Sequence, residues 1–149
     1  MVRILFVCHG NICRSPMAEF IMKKLVREKG LEDQFMIESA ATSREELGNP
    51  VYPPARRKLS EHGISCQGHH ARQMEKRDYD RFHYLVGMES YNLRNMMRIL
   101  GSDPDGKVCR LLDFTGRPGD IDDPWYTGDF TTAYNEIEEG CKAMLEKLR

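Results

Sequence analysis

Apolar and polar positions alternate along this chain between two periods. Ile4-Leu5-Phe6-Val7-Cys8 is a β-type apolar run, and the sequence after Ser15-Pro16 turns helical, running to about Lys29 with Phe20 and Leu25 facing a sheet and Gly30 as its stop. Phe35 to Ala40 predicts a second strand. Asn49-Pro50 and Pro53-Pro54 break the following loop, and Ala55 to Glu61 reads as a short helix stopped at His62-Gly63. His83 to Gly87 predicts a third strand, Ser90 to Leu100 a helix, and Lys107 to Leu112 a fourth strand. Phe130, Ala133, Tyr134, Ile137, Cys141, Leu145 and Leu148 fall on one face of a final helix. Strands alternating with helices predict an α/β fold, a four-stranded parallel sheet flanked by helices on both faces, spanning residues 1–149 as a single catalytic domain.

The chemistry concentrates just after the first strand. Cys8-His9-Gly10-Asn11-Ile12-Cys13-Arg14-Ser15-Pro16 places a cysteine and an arginine at opposite ends of a Cys-x5-Arg loop. Gly10 and Asn11 tolerate positive φ, and Ser15-Pro16 suit an N-cap and first helical residue. Backbone N–H groups and a helix N-terminus then converge where a phosphate or other oxyanion would sit, contacting His9, Gly10, Asn11, Ile12, Cys13, Arg14 and Ser15. Cys8 stands where a thiolate is favoured, and Arg14 offers a planar fork for two phosphate oxygens. Asn11 is expected to brace the loop; Ser15 either caps the helix or also donates to the Cys8 sulfur. The competing reading is a buried strand and an ordinary turn, with Cys8 a small core residue. No Gly-Lys-Ser/Thr follows, so this is not a Walker loop, and Gly-x-Gly-x-x-Gly is absent.

Composition narrows the partners. With 22 basic and 23 acidic residues the net charge is −1, which gives no electrostatic reason to expect nucleic acid. No run is long enough for a signal peptide or membrane span, so a cytoplasmic protein is expected. The five cysteines (Cys8, Cys13, Cys66, Cys109, Cys141) are odd in number and scattered, so reduced thiols are expected. Cys109 and Cys141 fall in apolar patterns and are expected in the core. Cys66, His69 and His70 are read as surface loop residues, with no metal site. Cys13 shares the loop with Cys8, so oxidation is expected to give a reversible Cys8–Cys13 disulfide; the alternative is a packed, inert thiol.

A second feature is Ile121-Asp122-Asp123-Pro124-Trp125-Tyr126. A cysteine phosphatase profits from a carboxylic acid near the leaving oxygen, and Pro124 restricts the backbone of Asp123; an Asp-Pro turn with a solvated carboxylate is the alternative. The stretch from Cys8 to Pro16 resembles the signature of the low-molecular-weight protein tyrosine phosphatases. Asp123-Pro124-Trp125-Tyr126, Ser39-Ala40-Ala41-Thr42-Ser43, Gly48-Asn49-Pro50, His62-Gly63-Ile64, Ala71-Arg72 and Asn92-Leu93-Arg94 extend the resemblance over the chain. It implies Cys8 as nucleophile, Arg14 as phosphate ligand and Asp123 as general acid and base. It also implies a substrate pocket walled by Trp125 and Tyr126, Ser39 bracing Asn11, and no cofactor. Two departures stand out: Glu45 replaces a bulky aromatic of the pocket wall, and Met88-Glu89-Ser90-Tyr91-Asn92 has Glu89 where the family has Asp. Phosphotyrosine proteins are the implied partners, in bacteria often the tyrosine kinases of polysaccharide export, and the protein is expected to be a monomer or weak dimer.

Two rivals share the scaffold or the loop. An arsenate reductase would need two further cysteines in a close pair, and Cys66, Cys109 and Cys141 are too widely spaced. A noncatalytic phosphotyrosine-binding module would need neither Cys8 nor Asp123.

Overall fold

Alternate residues of the first strand feed two different cores. Ile4, Phe6 and Cys8 join one cluster of buried side chains and Leu5 and Val7 another, so the strand is covered on both faces and reads as continuously apolar. The computed structural model describes residues 1–149. In chain order its elements are β1 (Val2–Cys8), α1 (Arg14–Glu28), β2 (Phe35–Ala41), α2 (Pro53–Glu61), α3 (Asp78–Arg81), β3 (Tyr84–Gly87), α4 (Ser90–Leu100), β4 (Val108–Arg110), α5 (Pro124–Thr127) and α6 (Phe130–Leu148). Short 3₁₀ turns occupy Glu32–Gln34 and Leu111–Phe114.

All four strands are parallel, in the order β2-β1-β3-β4. β1 pairs with β2 from Val2↔Phe35 to Cys8↔Ala41 and with β3 from Ile4↔Tyr84 to Val7↔Gly87. The chain therefore leaves β1 to one side and later returns to the other, and the residues after Cys8 lie at the switch point where such sheets bind ligands. Met17, Ala18, Ile21, Met22 and Val26 of α1 and Ala133, Tyr134, Ile137, Cys141, Met144 and Leu145 of α6 fill the first core. Met96 and Leu100 of α4, with Met74 and Phe82, fill the second. Phe20 and Leu25 lie at the margin of the first core, partly buried. A Cβ on Gly140 would lie 2.5 Å from Leu111 Cγ, so glycine lets α6 press directly on the turn after β4. No helix is long and apolar enough to cross a membrane.

The elements differ from the sequence reading at their ends. α1 starts at Arg14, with Cys13 at the N-cap position and no side-chain cap, so Ser15 lies inside the first turn. α2 starts at Pro53 because both prolines occupy first-turn positions that need no N–H partner. β4 stops at Arg110, where a capping box between Arg110 and Asp113 turns the chain into 3₁₀. The four-residue helices α3 and α5 carry too few apolar positions to show a period. Cys66 is buried in the first core with Ile64 of the same loop, not on the surface; Cys109, on edge strand β4, is only half-buried, whereas Cys141 is fully buried.

Candidate active site

Cys8 is the last residue of β1, and the turn that follows is held open from behind. Asn11 takes the left-handed conformation at φ 60°, while Gly10 does not; a Cβ on Gly10 would meet Glu46 Cγ at 3.4 Å. Asn11 is fully buried, and its Nδ2 donates to Ser15 Oγ (2.8 Å) and Ser39 Oγ (2.9 Å) while its Oδ1 accepts from the Arg72 N–H (3.2 Å). Ser39 Oγ donates in turn to Glu19 Oε1 (2.6 Å), which places Ser39 behind Asn11, where the sequence reading put it. His69 Nε2 lies 2.8 Å from the Asn11 carbonyl, which can only accept, so that nitrogen carries the hydrogen. Arg72 is fixed by the buried Asp78. With the loop so braced, the N–H groups of Gly10 to Arg14 donate to no backbone carbonyl.

Ser15 serves the sulfur, not the helix end. Its Oγ lies 2.9 Å from Cys8 Sγ, and its N–H donates to the same sulfur at 3.4 Å. Burial, followed by the charges of Cys8 and Asp123, pushes the Cys13 thiol far above the usual cysteine range. Ile12 and Cys13 are buried beside Ala71, with Tyr52 against them.

Arg14 is buried and triply held. Nη1 donates to Glu89 Oε2 (2.5 Å) and to the Ile121 carbonyl (2.8 Å), and Nη2 lies 3.3 Å from Asp123 Oδ2. Burial opposes its charge, but Cys8, Asp123 and Glu89 outweigh burial and hold the guanidinium more firmly protonated than usual. Glu89 also takes part in a capping box with Asn92 at the start of α4, so one side chain joins a helix end to the arginine. The longer Glu in place of the family's Asp thus still reaches Arg14.

Asp123 caps α5, its Oδ1 accepting from the Trp125 N–H at 3.0 Å. Cys8, Arg14 and Asp123 line one cleft of about 120 Å³, with Glu45, Trp125 and Tyr126 also in its wall. Asp122 is more exposed and lines the adjoining groove with His9 and Tyr91. Trp125 and Tyr126 are 50% and 83% exposed, and Trp125 packs on Tyr52 at 4.7 Å between ring centroids. Glu45 is tied to His9, Oε2 to Nε2 at 2.8 Å. No three His, Cys, Asp or Glu side chains converge as metal ligands.

His69, Glu19, Tyr52 and the Ile121 carbonyl escaped the sequence reading. His69 stood beside Cys66 and His70 as a surface residue; it is instead half-buried against the loop, because Gly68, at φ 89°, turns the chain back toward Asn11. His70 is exposed. A carbonyl has no sequence signal, and Glu19 looks like any polar position of a helix.

The description low molecular weight phosphotyrosine protein phosphatase belongs to a family model that matches residues 3–149. The chain is 37% identical to the low molecular weight protein-tyrosine-phosphatase YfkJ of Bacillus subtilis, covering 100% of this chain and 97% of that one. It is 41% identical to the low molecular weight phosphotyrosine protein phosphatase of Gallus gallus, covering 97% and 94%. The crystal structure of YfkJ superposes with a TM-score of 0.96 over 99% of this chain and 94% of that one. That of the Drosophila arginine phosphatase DARP, 32% identical, gives 0.88 over 98% and 97%.

Proposed function

The chain belongs to the low molecular weight phosphotyrosine protein phosphatases, cysteine-based enzymes that work through a cysteinyl-phosphate intermediate, and we propose that Cys8, Arg14 and Asp123 divide that chemistry between them. The observation that carries the assignment is the convergence of a buried thiol, a buried guanidinium and a partly exposed carboxyl on one cleft. The thiolate of Cys8 attacks phosphorus in line with the ester oxygen; the S–P bond forms as the P–O bond breaks. Arg14 and the free N–H groups of Gly10 to Arg14 hold the equatorial oxygens, stabilising the charge that spreads over them. The entering phosphate competes with Asp123 for Arg14 Nη2 and frees Oδ2; the carboxyl, having taken a proton from solvent, gives it to the departing phenolate.

In the second half the Asp123 carboxylate takes a proton from water, whose oxygen attacks phosphorus as the S–P bond breaks. Ser15 donates to the sulfur as it regains its charge, and inorganic phosphate leaves. Trp125, backed by Tyr52, and Tyr126 present aromatic surface to the phenyl ring. Phosphotyrosine in proteins is the substrate class this rim fits; a tyrosine kinase carrying its own phosphotyrosine is one such partner. The chain acts as one catalytic domain, as a monomer or weak dimer, in the cytoplasm.

Turnover of phosphotyrosine peptides and phosphoarginine by wild type and Cys8→Ser tests this. Cys8→Ser is expected to be inactive, with phosphocysteine trapped by rapid quench in wild type only. Activity surviving Cys8→Ser, or a preference for phosphoarginine, would overturn the assignment. Asp123→Ala is expected to lower kcat/KM most for poor leaving groups; that dependence appearing in Asp122→Ala instead would move the acid to Asp122.

A further inference from the structure

The segment that carries Asp123 is pinned three residues upstream by a cluster outside the cleft. Asp120 Oδ1 accepts from the Ser90 N–H (2.9 Å), the Ser90 hydroxyl (3.2 Å) and Arg110 Nη1 (3.1 Å). Arg110 is itself oriented by Asp113, with Nε–Oδ1 at 3.1 Å and Nη2–Oδ1 at 3.0 Å, and Nη1 also donates to Ser90 Oγ (3.2 Å). One carboxylate oxygen thus gathers donors from the first turn of α4 and from the end of β4. Just past it, the Ile121 N–H donates to the Met88 carbonyl (2.9 Å), and the Ile121 carbonyl accepts from Arg14. On the other side of the clamp, Ser90 follows Glu89, the residue that grips Arg14.

We propose that Asp120, with Arg110 and Ser90, is a positioning group that holds the Asp123 carboxyl in register with Arg14 and the leaving oxygen. The inference rests on the reading of Asp123 as general acid. An isolated surface ion pair contributes little to stability, and Asp120 is half exposed. Its value here is directional, because the chain between Asp120 and Asp123 has only Ile121 as a second anchor. A displacement of the order of 1 Å at a reacting group is enough to cost about 10²-fold in rate. Losing three donors on one oxygen lets the segment shift while Cys8 and the loop backbone around Asn11, fastened through the Asn11 amide, stay in place.

The test is kcat/KM for a series of aryl phosphates of increasing leaving-group pKa, on wild type, Asp120→Ala, Asp120→Asn and Asp123→Ala, with Tm measured for each. General acids contribute roughly 10²–10⁴-fold, so partial misplacement should cost about tenfold with phenyl phosphate and little with dinitrophenyl phosphate, steepening the leaving-group slope. Asp120→Asn keeps an Oδ1 acceptor for Ser90 and should restore most of the loss. A wild-type slope in Asp120→Ala, whether or not its Tm falls, overturns the proposal, as does Asp120→Asn no better than Asp120→Ala. If Asp123→Ala itself fails to steepen the slope, the general-acid reading falls instead. Should Asp120→Ala not fold, Arg110→Met removes one donor from the same oxygen and is held to the same outcomes with a smaller steepening.

Discussion

Replacing Asn11 separates what its backbone contributes from what its side chain contributes. Asn11 sits at φ 60°, fully buried, with Nδ2 shared between Ser15 and Ser39 and Oδ1 on the Arg72 N–H. Asn11→Gly keeps the left-handed conformation available and removes the amide; Asn11→Ala removes the amide and adds a Cβ where an L-residue pays about 1–2 kcal/mol. Loss of the amide is not three equal losses. Ser39 still donates to Glu19 and Ser15 still faces Cys8, whereas the Arg72 N–H is left without an acceptor, at about 1–3 kcal/mol for a buried donor. Asn11→Gly should therefore lose about 2 kcal/mol and Asn11→Ala about 3–4 kcal/mol, by these two terms together. Urea unfolding at fixed pH measures both, with phosphate added in parallel, since phosphate binding should stabilise wild type far more than either variant. Asn11→Ala equal to or more stable than Asn11→Gly would refute the claim that the left-handed turn at the loop's centre carries a cost only Asn or Gly avoids.

The raised Cys13 thiol bears on oxidation. Its neutral form persists through neutral pH, so a Cys8–Cys13 disulfide after mild peroxide should form faster as pH rises toward the alkaline range; mass spectrometry showing a rate independent of pH would exclude Cys13 as the attacking thiolate. Glu45→Trp should raise kcat/KM for aryl phosphates several-fold, since stacking of an aromatic pair contributes about 0.5–1.5 kcal/mol, and peptides with Lys or Arg beside phosphotyrosine should outperform acidic ones on wild type at low salt. Unchanged kinetics in that variant, with no charge preference in wild type, would leave Glu45 a partner of His9 alone. Gly140→Ala drives a methyl into Leu111 and should lower stability by about 1–3 kcal/mol in thermal unfolding, the usual range for overpacking; no change would mean that α6 yields without strain.

The strand-loop-helix unit was legible because its signals are local and dense. An apolar run, residues fit for positive φ, and cysteine and arginine with five residues between them each constrain the same few residues, and period alone separated most strands from helices. Boundaries were less legible wherever a side chain had two possible partners. Ser15 had the chemistry of a cap and the spacing of a sulfur ligand, and only its approach to Cys8 at 2.9 Å decides between them. Prolines 53 and 54 break a helix or begin one according to where the chain turns, and here they begin α2.

By itself the sequence determined the parallel α/β pattern, the Cys-x5-Arg loop and the resemblance that goes with it, because period and spacing act over a few residues at a time. The tertiary structure decided which distant groups complete the site: Asp123 and the Ile121 carbonyl on Arg14, Glu89 reaching the same guanidinium from α4, and His69 on the Asn11 carbonyl. These contacts span 58 to 109 residues of chain, as the differences between residue numbers show (69 − 11 and 123 − 14). No local propensity encodes such pairings; the strand order β2-β1-β3-β4 carries the ends of β1, β3 and β4 to one edge, and the segments after them close over a single buried arginine.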